Sequence, residues 1–363
     1  MRVAVLGAGS IGCYLGGRLQ AAGHDVVLIG RAKLARECAE HGLTLSSLHG
    51  DSVVIEPSAC TVETSADAAA GADIALIATK SGATAAAAAS LGRAERSVPT
   101  IVSAQNGIRN AGLIAQQLHS STVIPAMIPF NVVKTAPGCY HQASRGSIAL
   151  AAGYPELVTL FTSAGIRAVA HPDMPALQWG KLVLNLNNAV NGLSGLPLRE
   201  QLSRRPYRRV LAAAQREALH LLRAAGQPFD SPISAPLAVL PLALEAPTRI
   251  FLKISAEAVA IDSHARSSLF DDLHAGRSTE IDYINGEIVA LAKSLGRRAP
   301  VNETLVRLVH LAERTGRTWS GPELLAEMDA ARRGRPPGSR WTLGSRPHLR
   351  RPTRSTTDIG PTR

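Results

Sequence analysis

Arg2-Val3-Ala4-Val5-Leu6 runs directly into Gly7-Ala8-Gly9-Ser10-Ile11-Gly12, and then into Cys13-Tyr14-Leu15-Gly16-Gly17-Arg18-Leu19. The first stretch reads as a short buried strand, the second as a glycine turn and the third as a helix. In such a unit the first glycine makes the tight turn, the second lets a pyrophosphate approach the backbone, and the third lets the helix pack on the strand. Unpaired N–H groups and the dipole at the start of the helix favour the negative phosphates. Gly7, Ala8, Gly9, Ser10, Ile11 and Gly12 are therefore candidate dinucleotide-binding residues.

Working outward, His24-Asp25-Val26-Val27-Leu28-Ile29-Gly30-Arg31 reads as the second strand. NAD-binding folds usually place Asp or Glu at its tip, for the ribose 2′-hydroxyl. Here the tip is Gly30-Arg31. A carboxylate would repel a 2′-phosphate, whereas Arg31, helped by Lys33, can clamp one through charge-assisted hydrogen bonds. The cofactor expected is NADPH or NADP+, the alternative being an arginine that only opens a solvated loop.

The alternation continues with a helix at 33–41, short strands at 43–46 and 52–56, and a helix at 65–70. Ala72 to Lys80 is a continuous apolar run of the kind found in parallel strands buried on both faces. Ala83 to Leu91 reads as a helix and Pro99 to Gly107 as the next strand. Lys80 and Asn106 sit at the carboxyl ends of these strands, where open α/β sheets bind ligands. Thr122 to Val133 and Tyr140 to Ala151 flank Pro137-Gly138 and suggest antiparallel strands that finish the sheet. From Pro175 the period is helical, with helices expected over Ala176–Leu193, Tyr207–Ala225, Ile250–Ala265 and Tyr283–Leu295. The expected architecture is α/β: an N-terminal Rossmann-type doubly wound sheet at 1–171, an all-helical C-terminal domain at 172–325, and a basic, disordered tail at 326–363.

A chain of 363 residues has room for two cored domains. Its net charge of +11 suggests nucleic acid until it is located. Nine arginines stand against one aspartate from Arg332 onward, which leaves the rest of the chain nearly neutral. The Pro, Gly, Ser and Arg content of that tail reads as passive extension, and no nucleic-acid partner is expected. Cys13, Cys38, Cys60 and Cys139 show no spacing for a metal or a disulfide framework, so no metal and a reduced, cytoplasmic setting are expected. No apolar run is long enough to span a membrane. A homodimer through the helical part is an expectation without a sequence signal of its own.

Lysine usage narrows the chemistry, because Lys33, Lys80, Lys134, Lys181, Lys253 and Lys293 are the only lysines among many arginines. Arginine does not give up a proton in a protein, whereas a partly buried lysine has a tunable pKa and can act as a general acid. Lys181 begins Lys181-Leu182-Val183-Leu184-Asn185-Leu186-Asn187-Asn188, which puts Asn185 and Asn188 on its helical face. A solvated stripe on an amphipathic helix is the plainer account. Downstream, Ser278-Thr279-Glu280-Ile281-Asp282 reads by composition alone as helix-start chemistry.

Taken together, Gly7 to Gly12, Thr79-Lys80, Gln105-Asn106-Gly107, Lys181 to Asn185 and Arg277 to Gly286 resemble the ketopantoate reductases, which form pantoate on the route to pantothenate and coenzyme A. The resemblance runs from Met1 to about Glu313 and implies a Rossmann domain, a helical domain and a cleft that closes on NADPH and a small 2-oxo acid. It implies Lys181 as proton donor and Glu280 as its acidic partner near cofactor and substrate. Asn106 would touch both nicotinamide and substrate, Lys80 the cofactor, and Asn185 and Ser268 the substrate. Two positions depart from the family: Ala189, flanked by Asn188 and Asn191, stands where a second asparagine is common, and Ala265, followed by Arg266, stands where an asparagine helps bind the substrate carboxylate. Asn188 is taken with the substrate residues, Asn191 being the alternative, and the departures leave the identity of the 2-oxo acid open.

Overall fold

Val3 and Val5 of the opening strand face one hydrophobic core, while Ala4 and Leu6 face another. Period-two alternation thus buries the strand on both sides. The structure is a computed structural model that describes residues 1–48, 50–93, 97–254 and 265–333. Its strands are β1 (Arg2–Leu6), β2 (Asp25–Ile29), β3 (Leu43–Ser47), β4 (Ser52–Ile55), β5 (Val62–Glu63), β6 (Ile74–Ile77), β7 (Thr100–Ser103), β8 (Thr122–Met127), β9 (Val132–Ala136), β10 (Cys139–Gln142), β11 (Ile148–Ala151) and β12 (Ala168–His171).

The large sheet runs β12-β11-β8-β7-β6-β1-β2-β5. Every pairing from β5 across to β8 is parallel, β11 joins β8 antiparallel, and β12 lies parallel to β11. Leu15 and Leu19 of helix Ser10–Ala21 and Phe161 of helix Pro155–Ser163 cover one face; Ala88, Leu91 and Ile114 cover the other. This is the doubly wound sheet expected.

The 122–151 region differs from expectation in part. The hairpin around Pro137-Gly138 is antiparallel, but β9 and β10 leave the large sheet for a second one, ordered β4-β3-β10-β9, in which β10 lies parallel to β3. Pro129 lacks the N–H needed to extend the β8 ladder, and Tyr140 gains burial beside Leu43 and Leu45 over the outer face of the core. Of the expected region, β8 and β11 stay in the large sheet, which β12 then closes. The segment at 66–69 is a 3₁₀ turn rather than a full helix.

Beyond His171 every regular element among the described residues is helical. The helix expected over Ala176–Leu193 is two, Met174–Asn185 and Asn187–Ser194. They meet at Leu186, which keeps helical φ −56° and ψ −21°. Asparagine is a poor interior helix former, and Asn187 spends its side-chain oxygen on Gln201. Met174 and Leu177 pack on Met127 and Ala149, seating this pair of helices on the sheet. The helix at the end of the Tyr283–Leu295 expectation begins at Asn285, after a 3₁₀ turn at Ile281–Tyr283. Of the Ile250–Ala265 expectation, Thr248–Ile254 is a helix and 255–264 lies outside the described residues. Helix Gly321–Arg332 opens with a Ser320/Glu323 capping box and buries Leu324 and Met328, so packed chain continues past residue 325. The remaining tail, 334–363, lies outside the described residues. No helix among the described residues is long and apolar enough to cross a membrane.

Gly7 has φ +85°, and a Cβ there would lie 2.4 Å from the Thr79 backbone nitrogen. Gly7→Ala is expected to cost about 1–3 kcal/mol, read as a melting temperature several degrees lower. Gly9→Ala, whose Cβ would meet nothing nearer than 4.0 Å, is expected to melt like the parent. Equal melting temperatures for all three proteins would contradict this account of the turn.

Candidate active site

Gly7 and Ala8 both donate their N–H groups to Ile29 O, at 3.0 and 3.1 Å, which ties the glycine loop to the tip of β2. Gly9 then caps helix Ser10–Ala21 without any side-chain hydrogen bond. The first N–H groups of a helix have no partner inside it, so this terminus is open to an anion. Gly9, Ser10 and Ile11 line a cavity of about 460 Å³, while Gly7, Ala8 and Gly12 form the turn behind its wall. A Cβ on Gly12 would stand 2.5 Å from Gly7 O. The spacing of the three glycines is thus explained by turn, approach and packing in that order. An open terminus and free space over Gly9 fit a dinucleotide phosphate.

The ends of β6 and β7 supply the next part of the cavity. Gln105 Nε2 donates to Thr79 O, Thr79 Oγ1 and Thr84 Oγ1. Ser81 Oγ and Asn110 Nδ2 both donate to Asn106 O, at 3.0 and 2.6 Å. These bonds fix the main chain at Asn106. Its side-chain amide lines the cavity and has no hydrogen-bond partner among the described residues.

Helix Met174–Asn185 forms the facing wall. Lys181, Leu184, Asn185 and, past the break, Asn188 all line the cavity. Lys181 Nζ donates to Pro129 O at 3.4 Å, and no carboxylate pairs with it among the described residues. Burial lowers its pKa to about 8, because desolvation penalises the charged form.

The two candidate asparagines separate cleanly. Asn191 is fully buried; its Oδ1 accepts from Ser267 N and Oγ, and its Nδ2 donates to Leu196 O. It is a structural residue, and Asn188 is the one that faces the cavity. Ala189 is buried in the helical core. Ser267 caps helix Ser268–His274, leaving Ser268 exposed on the cavity wall beside Arg266.

The pairing of Glu280 with Lys181 is not formed, and Lys80 and Arg31 have surroundings of their own. Glu280 lines the cavity but forms no ion pair with Lys181; its Oε1 accepts from Ser81 N at 2.7 Å, at the start of the 3₁₀ turn Ser81–Ala83. Lys80 also lines the cavity, with Nζ 2.6 Å from Asp272 Oδ1 and donating to Ser278 O at 3.2 Å. Arg31 is exposed at the N-cap of helix Ala32–His41 and does not line the cavity, although the β2 tip beside it abuts Ala8. No carboxylate is paired with Arg31 among the described residues.

Two wall elements went unread in the sequence. Asp272 pairs with both Lys80 and Arg277, at 2.6 and 3.0 Å. Residues 129–133 close the side next to Lys181. The adjacent acids Asp271-Asp272 were a signal for the first; the apolar run Ile128-Pro129-Phe130 hid the second by reading as strand. No grouping of His, Cys, Asp or Glu that could hold a metal occurs among the described residues.

An open helix terminus facing a desolvated ammonium across a crevice is the layout of a dinucleotide-dependent oxidoreductase. Comparison with known proteins sharpens this. A profile described as "Ketopantoate reductase PanE/ApbA" matches residues 3–154, and one described as "Ketopantoate reductase PanE/ApbA C terminal" matches residues 173–313. The chain belongs to the ketopantoate reductase family. It is 27% identical to the 2-dehydropantoate 2-reductase of Halobacterium salinarum, over 87% of this chain and 100% of that one. Its fold matches the PanE/ApbA family ketopantoate reductase from Ralstonia eutropha JMP134 with a TM-score of 0.73 and 29% identity, covering 86% of this chain and 99% of that one. It also matches a D-mandelate dehydrogenase solved with NADH and anilino(oxo)acetate, with a TM-score of 0.72 and 20% identity over 87% and 99% of the two chains, a likeness of fold alone.

The desolvated Lys181 ammonium carries a stability cost. With its pKa lowered from 10.5 to about 8, the folded state binds the proton less tightly than the unfolded chain. The cost is full below about pH 8 and fades as pH rises towards 10.5. Lys181→Met is expected to raise unfolding free energy by on the order of 2 kcal/mol at pH 7, with the gain shrinking by pH 10. Denaturant unfolding at the two pH values checks this, and a loss of stability at pH 7 would contradict it.

Proposed function

We propose that this protein reduces 2-dehydropantoate to pantoate, with NADPH as the reductant and Lys181 as the proton donor. The observation that carries the reading is the position of the Lys181 ammonium, with no carboxylate partner among the described residues, in the cavity that Gly9, Ser10 and Ile11 also line. When bound, NADPH supplies a hydride to the carbonyl carbon. Lys181 hydrogen-bonds the ketone oxygen, stabilises the charge that builds there and gives up its proton to complete the alcohol, and water restores the proton. A pKa of about 8 keeps it charged at neutral pH and ready to donate.

The remaining assignments follow the sequence motifs and the resemblance. Asn106 serves nicotinamide and substrate, while Asn185, Asn188 and Ser268 hold the substrate's polar groups. Gly7, Ala8, Gly9, Ser10, Ile11 and Gly12 cradle the pyrophosphate, Arg31 takes the 2′-phosphate, Lys80 contacts the cofactor, and Glu280 stands between cofactor and substrate. The chain divides into a dinucleotide part at 1–171 and a helical substrate part from 172 that also supports a homodimer, and the protein works in the cytoplasm.

A second reading keeps the machinery and changes the substrate. Ala265 removes an amide that the family commonly uses for the carboxylate, and Arg266 lines the wall beside Ser267 and Ser268. Another small 2-oxo acid would then be reduced in preference. A dinucleotide sensor without turnover would gain nothing from a desolvated lysine and is not favoured.

NADPH oxidation measured with 2-dehydropantoate decides between these. Turnover that falls by about 100-fold or more in Lys181→Ala, and kcat/KM that declines as pH rises through about 8, are the expected results. Turnover with other 2-oxo acids only would transfer the assignment to the second reading, and none with any of them would remove it. Arg31→Asp is expected to lower the preference for NADPH over NADH by roughly tenfold or more, and an unchanged ratio would contradict the 2′-phosphate role.

A further inference from the structure

Glu280 is held from both flanks by a network that lies outside the cavity. On its N-terminal side, Thr279 N and Thr279 Oγ1 both donate to Glu313 Oε1, each at 2.8 Å. On its C-terminal side, Asp282 Oδ1 lies 3.0 Å from His310 Nε2. The same imidazole closes the loop, with Nδ1 2.8 Å from Glu313 Oε2. One histidine on helix Pro300–Thr315 thus holds Asp282 directly and Thr279 through Glu313, on either side of Glu280, whose own carboxylate accepts from Ser81 N.

Both imidazole nitrogens face carboxylate oxygens. A neutral imidazole has one N–H and one lone pair, so it can satisfy one carboxylate and must turn its lone pair on the other. Only the imidazolium can donate to both. We propose that His310, as imidazolium, is the positioning residue for Glu280, and that its two hydrogen bonds set the placement of the Thr279–Asp282 turn in the active site. This rests on the reading that Glu280 serves cofactor and substrate.

Titration follows from the same geometry. Burial by itself lowers the His310 pKa, but the hydrogen bonds to Glu313 and Asp282 outweigh it and raise the value above its usual one. Glu313 is lowered in turn: burial raises it, while His310 and Thr279 bring it down further. Other charges on the packed elements are engaged elsewhere: Glu287 with Arg109, Glu327 with Arg307, Glu323 with Ser320 and Arg317, and Glu217 with Val301 and Asn302. A raised folded-state pKa means the bridge is complete below the unfolded value of about 6.5 and is lost as pH rises through the folded one.

Two readouts test this on the full-length protein. The first is kcat with NADPH and 2-dehydropantoate from pH 6 to 8.5 for the parent, His310→Gln and His310→Lys. His310→Gln is expected to lose roughly tenfold in kcat at pH 6, with the deficit closing as the parent loses its own bridge at higher pH. His310→Lys, which keeps a positive charge across this range, is expected to hold more of the parent rate at pH 6 than His310→Gln does. A His310→Gln deficit that is constant with pH, or absent, would overturn the proposal. The second readout needs no turnover: the ¹⁵N–¹H amide signal of Thr279 in the unliganded parent should titrate with a midpoint above about 6.5, and should not titrate there in His310→Gln. A Thr279 amide that ignores pH in the parent would overturn the bridge even if 2-dehydropantoate is reduced. A normal Thr279 titration in a protein that reduces no 2-oxo acid would instead leave the bridge standing and remove the functional reading.

Discussion

Desolvating one ammonium without giving it a carboxylate among the described residues is the constraint around which the rest of the site is arranged. Lys181 lies on a helix whose apolar face is buried among Trp179, Leu182, Val183 and Leu186, so its place in the cavity wall is fixed by packing rather than by an ion pair. The nearest polar atom that accepts from it is a backbone carbonyl, Pro129 O. A neutral carbonyl orients the ammonium but returns little of what desolvation takes. The lowered pKa is the signature of that imbalance, and it is what suits the group to giving up a proton.

Three carboxylates of the helical region are engaged on the sheet side of the crevice. Asp272 takes Lys80, Glu280 takes the Ser81 amide, and the buried Glu287 takes Arg109 at 2.7 Å. Each of these contacts joins a residue after β6 or β7 to a residue of the helical region. They therefore hold the two walls in register. The Gln105 and Asn110 amides extend the same framework beneath the strand ends, fixing Thr79 behind Gly7 and the main chain at Asn106. Asn106 and Glu280 are thereby positioned from one continuous set of hydrogen bonds, and Thr79 of that set backs the glycine loop by close packing.

Much of this was legible in the sequence, for reasons that differ from part to part. The Rossmann-type sheet could be read because its signals are local: an apolar run, three glycines at fixed spacing, and buried strands alternating with helices. Lys181, Asn185 and Asn188 could be grouped because helical periodicity survives the break at Leu186. What failed depended on contacts between distant segments. Whether β9 and β10 join one sheet or another is decided by where Tyr140 finds burial, and no local pattern carries that. The choice between Asn188 and Asn191 turned on Ser267, far along the chain, and the partner of Glu280 turned on Ser81. Charged residues at the crevice announce that they have partners but not which ones.

The most direct test of the central claim is a crystal structure of the protein with NADP+ and a bound 2-oxo acid. Lys181 Nζ should lie about 3 Å from the ketone oxygen, within hydrogen-bond reach, with the nicotinamide beside the carbonyl carbon on the glycine-loop side of the crevice. A ketone oxygen held by other groups, with Lys181 still turned to Pro129 O, would contradict the account.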